Sequence, residues 1–241
     1  MAIIQTDVLE KKINNFIQEN HITLLKKGPT ETFHKRTQQA LQTCNLLIER
    51  DRLKYLMNIK PKAPNLNTHI KTHKETAPIR PVRNSRHAPA YKTAKLLNKK
   101  LLNLVNLPNT FITKNSHEVA QDLHNIQLHS NNRLISLDIK DLLTILPIKN
   151  ILHTTAFWLN KNNNDRTLME QTLHLLQTVL EQNYFQLNNQ FYQSNKGFTM
   201  GSPISSTLAE INLHYLEEKY RKHCIEHKTS YTTEDTLIIY Y

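Results

Sequence analysis

Three groups of residues in this 241-residue chain have types and spacing that could do chemistry. The first is a carboxylate at the end of an apolar run. Leu134-Ile135-Ser136-Leu137-Asp138-Ile139 alternates with period two, which puts Ile135, Leu137 and Ile139 on one face and Asp138 on the other, at the end of a strand. An oxygen fixed there by rigid backbone suits a magnesium ion, whereas a solvent-facing Asp at a strand end is also a common turn-former. Asp141, three residues on, is open to the same two readings. The second group is basic. Thr68 to Lys74 and Ile79 to Asn84 can pair as a hairpin around Glu75-Thr76-Ala77-Pro78, with Lys71, His73 and Lys74 on one arm and Arg80 and Arg83 on the other. Such an arm can neutralise phosphates, and a solvated edge strand is the alternative. The third is Gly197-Phe198-Thr199-Met200-Gly201-Ser202-Pro203, which holds two of the three glycines in the chain.

Composition narrows the chemistry. Three glycines, where roughly 7% is usual, exclude the Gly-clustered phosphate loops of Walker, Rossmann or kinase type. Residues 1–100 hold 20 Lys and Arg against 7 Asp and Glu, a net of +13, and residues 101–241 hold 11 against 13, a net of −2. The basic excess therefore belongs to the N-terminal part, which points to a polyanion bound there through counterion release. Cys44 and Cys224, far apart and without a CxxC partner, read as reduced thiols. With no signal-like or membrane-length apolar run, a soluble intracellular protein that does not enter a membrane is expected.

The elements that must position these groups follow from periodicity. Residues 1 to about 60 read as a polar helical lead-in with Ile13, Phe16 and Ile17 on one face. After the hairpin, Pro89 precedes a helix with Ala94, Leu97, Leu101 and Leu104 opposite Lys92, Lys95, Lys99 and Lys100. A helix over Thr167 to Glu181 carries Met169, Leu173, Leu176 and Leu180 in register, and Tyr184 to Gln193 reads as a hairpin turning at Asn188-Asn189. Ser202 and Pro203 suit the N-cap and first position of a helix to about Tyr220 with Leu208, Ile211 and Tyr215 inward. Thr236 to Tyr241 reads as a strand. The fold class expected is α+β.

Taken in order, Pro78-Ile79-Arg80-Pro81-Val82-Arg83-Asn84 with Ala88-Pro89-Ala90-Tyr91-Lys92, Ser136-Leu137-Asp138-Ile139-Lys140-Asp141-Leu142-Leu143-Thr144, and Tyr184-Phe185-Gln186-Leu187 through Gly197 to Pro203 resemble the reverse transcriptases of Penelope-like, telomerase-related retroelements. The resemblance spans roughly residues 60–241. It implies a right-hand polymerase fold: a helical lead-in over 1–59, fingers over 60–133 and a partial palm over 134–241, with no thumb. The implied partners are an RNA template, a DNA primer and deoxynucleotide triphosphates. Two Mg2+ ions would drive in-line attack of the primer hydroxyl. By the same resemblance Asp138 is the catalytic carboxylate and first metal ligand, with the backbone carbonyl of Ile139 beside it. Lys74 and Arg80 take the triphosphate positions, a role also open to Lys71 or Arg83. Leu143, Met200 and Gly201 face the nucleotide, and Lys71, Arg86, Lys92, Ser202 and Pro203 lie along the nucleic acid.

The departures from the family pattern are specific. Leu143 stands where the family has an aromatic residue under the sugar, Asp141 where it has a small polar one, and Leu146 where an Asn precedes the proline. The strand Leu237-Ile238-Ile239-Tyr240-Tyr241 is the last element of the chain, and the paired aspartates that follow it in the family are not in these residues. With one carboxylate of three, the expectation is a reverse-transcriptase fragment without polymerase activity of its own. A non-catalytic nucleic-acid-binding remnant and an inert relic are the alternatives.

Overall fold

The computed structural model describes residues 5–57, 60–72, 77–108, 116–124, 133–137, 139, 142, 146–194, 197, 201–226 and 236–240. Along the chain they form α1 (Thr6–Glu19), β1 (Thr23–Leu25), α2 (Thr30–Thr43), α3 (Arg50–Met57), β2 (Asn65–Ile70), β3 (Ile79–Asn84), α4 (Tyr91–Leu104), α5 (Ser116–His124) and β4 (Arg133–Leu137). There follow α6 (Ile148–Lys161), α7 (Arg166–Leu180), β5 (Tyr184–Leu187), β6 (Gln190–Gln193), α8 (Ser205–Glu226) and β7 (Thr236–Tyr240). The architecture is α+β.

Apolar residues recurring every three to four positions make α2, α4, α6, α7 and α8 bury one face each in a common core. Leu41, Leu97, Leu101, Ile151, Trp158, Leu175, Leu176, Leu208 and Ile211 are all at most 1% exposed. Each such side chain contributes about 1.5–3 kcal/mol of transfer free energy. Trp158 adds direction, because its indole N–H donates to the Ile211 carbonyl at 3.2 Å and so ties α6 to α8. The start of α7 is set by Asp165, whose carboxylate accepts from the Leu168 amide at 3.0 Å.

Five strands form one mixed sheet in the order β1-β6-β5-β2-β3. The β2–β3 hairpin is antiparallel, in register from Asn65↔Asn84 to Ile70↔Ile79. The β5–β6 hairpin closes on Asn188 (φ 48°) and Asn189 (φ 62°), the pair of positive-φ residues that the Asn-Asn turn predicts. β2 joins β5 in parallel at Asn65↔Gln186. One side of this sheet carries a second, smaller core of Ile22, Leu66 and Phe185, with Phe16 and Ile17 of α1 packed on it. β4 and β7 form a separate two-stranded parallel sheet.

Several expectations shift. The lead-in is not wholly helical: β1 extends the sheet by pairing Leu24 with Tyr192. A three-residue strand has no periodicity to read, and its partner lies far along the chain. β2 starts at Asn65 and ends at Ile70, so Lys71 follows the strand, with its amide donating to the Pro78 carbonyl at 2.9 Å. Ser202 and Pro203 do not cap and begin α8; they belong to a turn, and the helix starts at Ser205. Gly201 is held against β3 and Ile204 is 1% exposed in the core, so the chain must follow the hairpin before it can coil. The sheet also takes strands from all three stretches expected as lead-in, fingers and palm.

Candidate functional site

The two faces of the β2–β3 hairpin behave differently, because directly opposed residues share a face. Leu66 with Arg83, Thr68 with Pro81, and Ile70 with Ile79 form one face; Asn67 with Val82 and His69 with Arg80 form the other. On the first face the Arg83 guanidinium lies 4.8 Å from the centroid of the Phe185 ring and donates to Asn183 Oδ1. Asn183, 4% exposed, in turn donates through Nδ2 to the Gly197 carbonyl at 3.1 Å. Burial lowers the Arg83 pKa to about 9, so the group stays cationic at neutral pH. This arginine is built into the junction between β3 and the loop before β5 through its contacts with Phe185 and Asn183.

The second face is open. Asn67, His69, Arg80 and Asn84 are exposed, and Arg80 stands two residues from Val82 on the same side of β3. The Gly201 turn sits against this part of the strand: a Cβ on Gly201 would stand 2.4 Å from the Arg83 carbonyl oxygen and 3.6 Å from Val82 Cγ1. Ser85 Oγ donates to the Gly201 carbonyl at 2.9 Å. The φ of +102° and the approaching backbone both require glycine here. The absence of a side chain at Gly201 thus lets the hairpin and the turn pack together. Two segments more than a hundred residues apart, the Arg80 strand and the Gly201-Ser202-Pro203 turn, meet on one surface.

Arg86 is exposed next to this surface, its amide facing Asn84 Oδ1 at 3.4 Å. Lys92 is engaged at the start of α4: its ammonium donates to the Tyr55 carbonyl at 3.1 Å and lies 3.7 Å from the centroid of the Tyr55 ring. Lys74, Asp138, Leu143 and Met200 lie outside the described residues. The strand that leads to Asp138 is described. β4 and β7 run parallel with Leu137 opposite Tyr240, so both strands end at the same edge of their sheet. Ile139, just past that edge, is exposed.

No group of three or more His, Cys, Asp or Glu side chains stands together among the described residues. Of the expected metal ligands only Ile139 is among the described residues. The cavity between residues 85–94, 179–184 and 202–204 measures about 50 Å³, room for a water molecule or two and not a nucleotide. A larger open depression of about 490 Å³ is lined by Phe33, Arg36, Glu181 and Gln193, but Arg36 and Glu181 already face each other at 3.9 Å. No helix among the described residues is long and apolar enough to cross a membrane.

Sequence reading missed Asn183 and Tyr55. Asn183 ends the polar stretch Glu181-Gln182-Asn183 between two apolar runs, and nothing local distinguishes it from a loop asparagine. Tyr55 did carry a signal, an aromatic residue closing the basic run Arg50-Asp51-Arg52-Leu53-Lys54. No family model, curated protein or solved structure matches this chain.

Proposed function

We propose that the chain is the fingers and incomplete palm of a reverse transcriptase, an RNA-directed DNA polymerase of the Penelope-like retroelement kind, and that these 241 residues do not polymerise on their own. The observation that carries the reading is the parallel register of β4 and β7, two strands about a hundred residues apart in sequence whose ends share one sheet edge. Two-metal phosphoryl transfer needs carboxylates converging from separate backbone segments, and such an edge suits that need. Asp138 would be its first ligand, holding Mg2+ with the Ile139 carbonyl. The meeting of the Arg80 strand with the Gly201 turn supports the same reading, since a triphosphate-facing cation and a turn beside the template are required on one surface.

The test is Mg2+-dependent extension of a DNA primer on an RNA template. It compares the 241-residue chain with a version carried past Tyr241 by the in-frame sequence of its own locus, where that exists. The reading expects no extension from the first and extension from the second, abolished by Asp138→Ala and by Arg80→Ala. Extension that survives Asp138→Ala would refute it. A binding role without chemistry is the second reading, favoured by the +13 net charge of residues 1–100. It predicts salt-dependent RNA or DNA binding whatever follows Tyr241.

A further inference from the structure

Tyr55 is an exposed aromatic ring held in place from one side. Its ring is part of a residue 65% exposed, the largest exposure among the big apolar side chains described. Lys92 sits 3.7 Å from the ring centroid and is anchored to the Tyr55 backbone carbonyl at 3.1 Å. A cation on one face occupies that face and fixes the ring plane, while the high exposure leaves the rest of the side chain to solvent. Lys92 also opens a stripe. Lys92, Lys95 and Lys99 fall on one side of α4 by helical spacing, opposite the buried Ala94, Leu97 and Leu101. Lys95 and Lys99 are exposed, and no ion pair involving either lysine is found among the described residues.

We infer that Tyr55 with Lys92, Lys95 and Lys99 forms a track for unpaired nucleic acid, in which a base stacks on the tyrosine ring and the lysines follow the phosphates. The inference rests on the polymerase reading and adds a site for the single-stranded part of the template. A ring open on one face accepts any unpaired base, and stacking on an aromatic side chain is tolerant of sequence. The stripe from Lys92 to Lys99 is about 10 Å long, the length of about three stacked nucleotides in one strand. Charge complementarity selects a polyanion: besides the lysine stripe, α3 holds Arg50, Arg52 and Lys54 against Asp51, with Arg52 paired to Glu49 at 3.4 Å. A paired duplex would offer phosphates to the lysines but no free base face to Tyr55, so the committed occupant is a single strand.

The experiment measures binding of a short RNA oligonucleotide by fluorescence anisotropy, with an abasic oligonucleotide of equal charge and a template–primer duplex as comparisons. Wild-type protein should prefer the base-bearing strand to the abasic one. Tyr55→Ala should weaken the base-bearing strand roughly 5- to 100-fold and leave the abasic strand unchanged. Tyr55→Phe should retain binding, and Lys95→Gln with Lys99→Gln should lower the salt dependence by about 0.7 per lysine. Equal affinity for base-bearing and abasic strands in the wild-type protein would overturn the stacking site, whether or not Tyr55→Ala folds. Polyglutamate competing as well as RNA, without dependence on Tyr55, would assign the stripe to acidic polypeptides and overturn it too. Duplex binding that persists while the Tyr55 effect is absent would leave the polymerase reading standing. Failure to bind any nucleic acid would remove both.

Discussion

Replacing Gly201 by alanine perturbs the junction between the hairpin and the turn before α8 at a single atom. The added Cβ would stand 2.4 Å from the Arg83 carbonyl oxygen, closer than a carbon and an oxygen can approach, and that oxygen belongs to a paired strand. The residue would also have to keep φ at +102°, a strained conformation for an L side chain, costing on the order of 1–3 kcal/mol. Relief requires the turn to move off β3, which gives up the 2.9 Å hydrogen bond from Ser85 Oγ, worth about 1 kcal/mol. Together these suggest a loss of about 2–4 kcal/mol. At roughly 2–4 °C per kcal/mol for a chain of this size, the melting temperature should fall by about 4–16 °C. Urea and thermal unfolding followed by circular dichroism would measure it. Ser85→Ala serves as the companion, expected to lose only the hydrogen-bond share. If Gly201→Ala melts with the wild type, the turn does not rest on β3, and the shared surface of Arg80 and Gly201 is wrong with it.

Arg83→Met keeps an apolar stem near Phe185 but removes the donor that Asn183 Oδ1 receives, and should cost about 1–3 kcal/mol in urea melts. Arg83→Lys should not restore it, because an ammonium cannot reproduce the planar fork. The Cys44 thiol, fully buried and with its pKa pushed up by burial, should resist alkylation in native Cys224→Ser protein and react promptly in urea. Tyr184 has its pKa raised by burial to about 12, partly offset by its hydrogen bond with Thr30. Its folded value lies above the unfolded value of 10.0, so its contribution to stability is complete below about pH 10 and is lost as pH rises towards 12. Alkaline titration of tyrosinate absorbance should show one late-ionising phenol that Tyr184→Phe removes. At the β5–β6 turn, Asn189→Gly should be neutral or stabilising, whereas Asn189→Val should cost about 1–3 kcal/mol, because φ is 62°.

Local order was largely legible in the residues themselves. The stripes Ala94-Leu97-Leu101 and Leu208-Ile211-Tyr215 are buried as their spacing requires, and the Asn188-Asn189 hairpin turns where two positive-φ residues must stand. Both features depend on backbone geometry within a few residues, which sequence encodes directly. The α+β class followed from the same periodicities, and the charge division between the two parts of the chain is a matter of counting.

Other features came only with the tertiary structure, because they depend on which distant segments meet. Arg80 and Arg83 are alike in sequence, three residues apart on one strand; the pleat turns Arg80 to the open face and Arg83 towards Phe185 and Asn183. The position of β5 engages one arginine and leaves the other exposed. Ser202 likewise reads as a helix cap until β3, within 2.4 Å of where a Gly201 Cβ would be, holds the turn and delays the helix to Ser205. The sequence by itself determined the elements and the supply of charge, since these are local and additive. Which cations are free to meet a ligand is a question of long-range packing and desolvation, and only the assembled sheet decided it.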